Sequence, residues 1–341
     1  MKNRTLKIAL AIISIIVVGA AAISYWICFG TFSSHTEHTY LYIDKDDNID
    51  SVYTKIEEAG APQQMLGFKL LSNILGYDEA VKTGKYEIGN HLTTIDIIRN
   101  LRNKHQVPVR LTIPNVRTMS RLSYKLAKSI EPDSAELMQC FTDSAFCEKY
   151  HSTPATISCL FLPNTYEVYW DITPEQLATK MEKESMKFWS KERRAKADSL
   201  EMTLTEVMTL ASIVDQETAN NAEKPKIAGM YLNRLKKGML LQADPTVKFA
   251  LQQFSLRRIL HEHLKFDSPY NTYIYKGLPP GPISIPALSS IEAVLNADPN
   301  DYLFMCAKED FSGTHNFAST YSEHLKNARK YTRALNARGI K

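Results

Sequence analysis

The feature that most constrains this chain is an uncharged, apolar segment close to its N-terminus. Residues 8–36 contain no Asp, Glu, Lys or Arg. The most apolar part, residues 8–27, would span about 30 Å as a helix, which matches the hydrocarbon core of a bilayer. The sequence therefore predicts one membrane-spanning helix, followed by globular structure on one side of the membrane.

The charges that flank this segment predict its orientation. Lys2, Arg4 and Lys7 precede it, whereas Glu37 and Asp44 follow it. Basic flanks stay on the cytoplasmic side of a membrane, so the N-terminus should be cytoplasmic. We therefore expect a single-pass protein of the cytoplasmic (inner) membrane whose residues after about 33 are extracytoplasmic, or periplasmic.

A cleaved signal peptide is the alternative reading of the same segment, because Ala20, Ala21 and Ala22 offer small residues for cleavage. The apolar run continues to Phe29, however, and is longer than a signal core of about 7–15 residues. Its Trp26 also suits the interface between membrane and water. These features favour an uncleaved anchor.

The composition excludes some classes of function. A net charge of +4 in 341 residues does not call for nucleic acid, and no basic stretch is interleaved with aromatic residues. No CxxC or HExxH spacing predicts a metal site. Sequence alone leaves the state of four cysteines open, as buried thiols or as disulfides: Cys140, Cys147, Cys159 and Cys306.

The remaining chain reads as an α+β protein, which we divide into an anchor at 1–33, a small α+β module at 34–118, a helical connection at 119–198 and a catalytic core at 199–341. Alternating apolar runs predict strands in the small module at residues 39–43, 85–88 and 107–113. Helical patterns predict helices there at 49–58 and 94–102.

Helical patterns dominate residues 119–196 and end in a charged helix predicted at 182–196. Thr203 and Glu206 then form a capping box at the start of a helix with an apolar stripe. A further helix is predicted at 225–237, ending before Gly238. Residues 270–286 are rich in Tyr, Gly and Pro, which predicts a long ordered loop.

Two acids end the capped helix, and their directions differ. At about 100° per residue, Asp215 and Glu217 point roughly 200° apart, so they should not serve one bond together. Glu217 lies beside Leu210 and Ile213 at one edge of the apolar stripe, which predicts a half-desolvated carboxyl with a raised pKa, although Asp215 lies about as far beyond the opposite edge. A raised pKa is what a general acid near neutral pH requires. Taken alone, this position also fits an ordinary solvated acid at the end of a helix.

Several ordered strings stand out along the chain: LASIVDQET (210–218), LQADPTV (241–247), YNTY (270–273), GLPPGPI (277–283) and GTHNF (313–317). In order and spacing they resemble the endolytic murein transglycosylases, the MltG or YceG-like family. The resemblance implies a LysM-like small module and a mixed α+β YceG-like catalytic domain. The chain departs from the family pattern at Asn115 and Ser158, outside the Glu217 region.

The resemblance also implies an activity. A member of this family is expected to cleave the β-1,4 bond between N-acetylmuramic acid and N-acetylglucosamine in nascent peptidoglycan, leaving 1,6-anhydromuramic acid ends and terminating strand elongation. It implies Glu217 as the catalytic residue, no metal and no organic cofactor. The expected partners are peptidoglycan glycan strands, the membrane and peptidoglycan synthases. The resemblance places these residues in the glycan cleft: Gln242, Asp244, Thr246, Tyr270, Asn271, Thr272 and His315. The same positions also fit structural roles, with residues 244–246 as a helix cap, residues 270–271 as a loop anchor and His315 as a hydrogen-bonded loop residue.

Two other functions fit the same residues. One is a lysozyme-type muramidase in which Asp244 orients a water molecule. The other is a non-catalytic, membrane-tethered scaffold that binds glycan through the small module, with a structural Glu217. The mass of the product distinguishes a muramidase from a transglycosylase. A variant that lacks one carboxylate and loses activity, but still binds glycan, would distinguish an enzyme from a scaffold.

Overall fold

The computed structural model describes residues 2–32, 38–60, 64–89, 91–256 and 258–339. The described residues form mainly helices, together with three two-stranded sheets, which confirms the α+β class. The chain forms two compact units: unit 1 is Met1–Leu111, Ser129–Glu131 and Glu167–Ile172, and unit 2 is Thr112–Lys128, Pro132–Tyr166 and Thr173–Lys341. The proposed boundary at residues 33 and 34 lies outside the described residues, and the four-part division stays a prediction.

The N-terminal segment forms one long helix, α1 (Lys2–Phe29). Within it, Leu6–Phe29 is 24 residues long, has a mean hydropathy of 2.6 in its most apolar window, and is not buried by the rest of the chain. A helix this long and apolar suffices to cross a membrane, in agreement with the predicted anchor.

Unit 1 continues with a strand, two helices, a strand and a helix. These are β1 (Tyr40–Ile43), α2 (Ile49–Gly60), α3 (Met65–Ile74), β2 (Gly84–Glu87) and α4 (Thr94–Arg102). β1 and β2 pair antiparallel, from Tyr40 opposite Glu87 to Ile43 opposite Gly84. Their inward side chains pack with the helices in a core that includes Ile43, Phe68 and Ile97.

The predicted strands and helices of this unit are present within one or two residues. The sequence analysis missed α3, because apolar residues occur on nearly all sides of this short helix and leave no clean helical period. Thr93 caps α4 through the amide of Asp96, in a capping box.

A second two-stranded sheet consists of β3 (Val109–Ile113) and β4 (Asn164–Val168). The helices of unit 2 begin with α5 (Met119–Leu126), α6 (Ser134–Thr142), α7 (Ser144–Glu148) and a 3₁₀ turn (Ile157–Leu160). They continue with α8 (Pro174–Phe188), α9 (Lys191–Ser199), α10 (Leu204–Glu217), α11 (Lys224–Lys236), α12 (Asp244–Ala250), α13 (His261–Leu264) and α14 (Leu288–Leu295). A hairpin of β5 (Phe304–Ala307) and β6 (His315–Ala318) precedes the last helix, α15 (Tyr321–Ala337).

The single helix predicted at 182–196 is wrong. The chain turns between α8 and α9, where the Trp189 side chain is buried at 5% exposure. The Ser190 hydroxyl then accepts a hydrogen bond from the amide of Arg193 and caps α9. The charge pattern concealed this break, since the charged residues of both helices face solvent.

Helix α10 lies at the centre of the core of unit 2. Thr203 and Glu206 form the predicted capping box, but the burial differs from a single stripe. Every residue from Val207 to Val214 is buried, so the helix is enclosed on all sides. The Ser212 hydroxyl accepts a hydrogen bond of 3.0 Å from the amide of Ile283, which fixes the irregular 270–286 segment against the helix.

Candidate active site

Helix α10 ends at Glu217, and this carboxyl lies in a cleft of about 450 Å³ within unit 2. The cleft is lined by side chains from α11, from the segment before α12, from the 270–286 loop, from the hairpin and from α15. The lining residues include Glu217, Tyr231, Arg234, Gln242, Asp244, Tyr273, His315, Tyr321 and His324. Glu217 is half-buried as expected, although α10 has no single apolar stripe and the side chain of Asp215 is buried as well.

The surroundings of Glu217 keep it close to protonation at neutral pH. Burial raises the pKa of this carboxyl to about 7, and the negative charge of Asp244 acts in the same direction. The Tyr231 hydroxyl opposes the shift, because it donates a hydrogen bond of 2.7 Å to Glu217 Oε1 and favours the carboxylate. The positive charge of Lys248 also lowers this pKa. A carboxyl of this kind can both give and accept a proton near pH 7.

Tyr231 stays a hydrogen-bond donor under these conditions. Burial and the neighbouring charge of Glu217 hold the pKa of its phenol well above the usual range. The tyrosine is 2% exposed and lies on α11, so its hydroxyl is fixed with respect to the end of α10.

Asp215 does not line the cleft, and its carboxylate is already paired. Lys224 Nζ lies 3.0 Å from Asp215 Oδ1, and the two side chains are 5% and 6% exposed. Ser290 and Asn115 also donate hydrogen bonds to Asp215. The two acids of the motif therefore have separate environments: Asp215 is paired with Lys224, and Glu217 faces the cleft.

Gln242 and Asp244 are exposed to the cleft. Gln242 has a positive φ of 53°, and its backbone amide donates to the carbonyl of Thr272 at 3.1 Å. Arg234 donates to Gln242 Oε1 at 3.3 Å and so orients the side-chain amide. Tyr273 donates a hydrogen bond of 2.6 Å to Asp244 Oδ1, which holds this carboxylate at the start of α12.

Three of the residues expected to contact glycan lie behind the cleft lining instead. Thr246, Asn271 and Thr272 are at most 1% exposed. The Thr246 and Thr272 hydroxyls lie 2.8 Å apart and hydrogen-bond each other. Asn271 Nδ2 donates to the carbonyls of Leu264 and Phe266, at 3.0 and 2.8 Å. Their observed role is to hold the loop that carries Tyr273.

Tyr270 lies outside the cleft lining as well, with its ring centroid 4.7 Å from that of Phe249. His315, by contrast, reaches the cleft from β6. Its backbone amide donates to Glu223 Oε1 at 2.8 Å, and its Nδ1 lies 3.2 Å from Glu223 Oε2. This second contact leaves Nε2 of the imidazole available to a ligand.

The sequence analysis missed five polar lining residues: Tyr231, Arg234, Tyr273, Tyr321 and His324. Of these, Tyr273 belongs to a string that had already been singled out, so its position in YNTY was a usable signal. Tyr231 and Arg234 follow the ordinary pattern of a helix with a buried face, and nothing local distinguishes them from core residues.

Among the described residues, one group has the side chains and spacing to hold a metal ion. His38, Glu87 and His91 of unit 1 have ligand atoms within 4.8 Å of one another. His38 is exposed and Glu87 is partly buried. None of the three lines the cleft that holds Glu217.

Comparison with known proteins defines the family. The model of the YceG-like family matches residues 41–330, which is most of the chain. The chain belongs to the YceG-like family. Among solved structures, a crystal structure of a YceG-like protein from Listeria monocytogenes has a TM-score of 0.55 and 29% identity, covering 86% of this chain and 99% of that one.

Two curated relatives of this YceG-like chain bear the name endolytic murein transglycosylase. The Bacillus subtilis protein is 42% identical over 135 residues, which are 40% of this chain and 37% of that protein. The Streptococcus pneumoniae protein is 26% identical over 327 residues, covering 85% of this chain and 57% of that protein. The chain thus spans less than two thirds of the length of either relative.

Proposed function

We propose that this YceG-like protein is an endolytic lytic transglycosylase, a lyase that cleaves the bond between N-acetylmuramic acid and N-acetylglucosamine in nascent peptidoglycan. The observation that carries the proposal is Glu217, a cleft carboxyl with a pKa raised to about 7, placed within the family string. The curated relatives, both named endolytic murein transglycosylase, support the same reaction.

In the proposed mechanism, Glu217 performs both proton transfers. The protonated carboxyl first donates its proton to the glycosidic oxygen, and the bond from that oxygen to C1 of the muramoyl residue breaks. The resulting carboxylate then accepts the proton of the muramoyl C6 hydroxyl, whose oxygen bonds to C1. The product is a 1,6-anhydro ring, Glu217 is protonated again, and no water is consumed.

The neighbouring residues suit this use of a single acid. Tyr231 donates to one carboxyl oxygen and steadies the charged state between the two transfers. Gln242 and His315 present polar groups to the cleft, where buried N-acetyl amides of a glycan would need hydrogen-bond partners. Asp244 is held by Tyr273, and we assign it to shaping the cleft and raising the pKa of Glu217.

We further propose that α1 anchors the protein with its N-terminus in the cytoplasm, and that unit 2 acts outside the membrane as a terminator of strand elongation beside peptidoglycan synthases. The single long apolar helix and its basic N-terminal flank support this topology. The order of β1, α2, α3 and β2 supports a LysM-like module in unit 1.

Digestion of purified glycan strands by the detergent-solubilised full chain, followed by mass spectrometry, tests the reaction. We expect 1,6-anhydromuramic acid ends, and we expect Glu217→Gln to reduce cleavage by about 10²–10⁴-fold or more, since Gln cannot transfer a proton. Glu262→Gln is the matched control, because the Glu262 side chain is 75% exposed and outside the cleft.

The alternatives give different results in the same experiment. Ends with ordinary reducing muramic acid would show a muramidase. Glycan binding without any cleavage by the wild-type chain would show a scaffold. Normal cleavage by a well-folded Glu217→Gln variant would assign the chemistry to another residue.

A further inference from the structure

Helix α3 exposes a line of large apolar side chains. Leu66, Leu70 and Ile74 are 86%, 53% and 65% exposed, and they follow one another at intervals of four residues. Residues at this spacing lie one above the other on a helix, so the three form a continuous apolar ridge. We refer to these three residues as the α3 ridge.

The opposite face of α3 is firmly packed, so the ridge is part of an ordered element. Phe68 is fully buried in the core of unit 1. Its ring centroid lies 5.6 Å from that of Phe32 and 6.0 Å from that of Tyr53. The helix is therefore held with its apolar ridge outward, an arrangement that a soluble surface rarely carries without a partner.

The last turn of the anchor helix touches the first turn of α3. A Cβ added at Gly67 would lie 2.8 Å from Ile27 Cγ2, so only glycine lets the two helices approach this closely. After α1, Phe32 donates its amide to the carbonyl of Leu92 at 3.1 Å and is 1% exposed in the core. The exit of the anchor is thus fixed to unit 1, and the position of α3 along the anchor follows from it.

The contact at Ile27 gives the height of α3 relative to the bilayer. Tyr25, Trp26 and Phe29 are exposed on the same turn, and aromatic residues of this kind settle at the boundary between lipid and water. A span of 24 residues is also longer than the roughly 30 Å hydrocarbon core requires, so the helix is long enough to place its final turn at headgroup level, where these aromatic residues favour it. Helix α3 begins at this level.

The charge beside the ridge also suits a lipid surface. Lys69 is exposed on α3, and its ammonium lies 3.3 Å from Glu57 Oε1 and 5.1 Å from the centre of the Tyr53 ring. The Lys69 side chain therefore lies along unit 1 and directs its charge away from the ridge residues, as lysine does at membrane interfaces. An apolar ridge with a flanking lysine is the pattern of a helix that lies in an interface.

We propose that α3 is an interfacial membrane helix: Leu66, Leu70 and Ile74 insert into the headgroup and acyl boundary of the bilayer that α1 crosses. This inference rests on the proposed membrane anchor and is independent of the proposed reaction. The bilayer then holds unit 1 at two places, the anchor and the ridge, which fixes the orientation of this unit on the membrane surface.

The test places a genetically encoded dansylalanine at single positions of the full chain, reconstituted in vesicles of phosphatidylcholine and phosphatidylglycerol. Asn73 is the test position, since it is exposed on α3 and its replacement leaves the ridge intact. Val17 in the anchor and the exposed Met186 of unit 2 are the two references. Doxyl-labelled lipid reports contact with the bilayer, and aqueous iodide reports contact with water.

At Asn73 we expect strong quenching by doxyl lipid and severalfold weaker quenching by iodide than at Met186. In the variant Leu66→Ser, Leu70→Ser and Ile74→Ser, the label at Asn73 should become accessible to iodide while the thermal unfolding temperature is retained. The three replaced side chains are exposed, so this variant should fold.

Three results would overturn the proposal. Iodide quenching at Asn73 equal to that at Met186, with Val17 quenched by lipid, would place α3 in water. Protection from both quenchers that depends on protein concentration would show a second copy of the chain, or another protein, on the ridge. Absence of lipid quenching at Val17 would show that α1 does not cross the bilayer, and this proposal would then fail. The proposed reaction does not depend on that result.

Discussion

Glu217 carries a proton near neutral pH because burial makes its charged form costly, and Tyr231 limits that shift with a single hydrogen bond. The native pKa of about 7 lies above the ordinary value of 4.5, so the folded protein holds a proton that the unfolded chain releases between these values. The contribution of Glu217 to stability is therefore fully present below about pH 4.5 and is lost as the pH rises to 7.

The Tyr231 hydroxyl offers a test of this balance. Tyr231→Phe removes the hydrogen bond that favours the carboxylate, so the pKa of Glu217 should rise further. The proton-donating form of Glu217 then persists to higher pH. The alkaline limb of the kcat/KM profile should therefore shift to higher pH, while the maximal rate falls. The measurement is cleavage rate against pH.

Tyr150→Phe is the control for that experiment. It also removes a tyrosine hydroxyl, one that donates to the carbonyl of Glu175 at 2.9 Å, far from Glu217 in the sequence and outside the cleft. The alkaline limb of the kcat/KM profile of Tyr150→Phe should coincide with that of the wild type. An unshifted limb in Tyr231→Phe would mean that this hydroxyl does not tune the acid.

At the scale of elements, the end of α10 is held to α11 by a buried ion pair and to α14 by a hydrogen bond, both of which involve Asp215. Asp215 on α10 contacts Lys224 on α11 and accepts a hydrogen bond from Ser290 on α14. This pairing predicts a large loss of stability for Asp215→Asn, because the substitution leaves the buried ammonium of Lys224 without its counter-charge.

We expect Asp215→Asn to lower the free energy of unfolding by about 3–5 kcal/mol, measured by urea denaturation. Replacing both partners, as Asp215→Leu with Lys224→Met, should recover much of that loss because no buried charge remains. Glu192→Gln breaks the more exposed pair with Lys196 and should cost less than about 1 kcal/mol. Equal stability of Asp215→Asn and wild type would show that Lys224 finds another partner.

At the scale of the whole molecule, the anchor determines on which side of the membrane unit 2 works. Reporter fusions test the proposed topology. Alkaline phosphatase, which is active only outside the cytoplasm, should be active when fused after Lys341, whereas a fluorescent protein that folds only in the cytoplasm should not fluoresce there. The opposite pair of results would place unit 2 in the cytoplasm, where it would have no access to the cell wall.

Much of the local structure follows from the sequence alone. The apolar helix α1, the strands β1 and β2 and the capped helices α4 and α10 are each signalled within a short window by hydrophobic period and capping residues. Glu217 was identified through the family strings, because its place at the end of a helix also fits an ordinary solvated acid. Local signals failed at α3 and at Trp189, where apolar or charged residues mask the true period.

The tertiary structure alone decided which side chains meet. Tyr231 and Glu217 are 14 residues apart in the sequence, and His315 and Glu223 are 92 apart. The tertiary structure also buried Thr246 and Asn271, which the family resemblance had placed in the glycan cleft. Sequence periodicity reports which face of an element is apolar, whereas the pairing of polar groups and the acidity of Glu217 depend on how separate elements pack and exclude water.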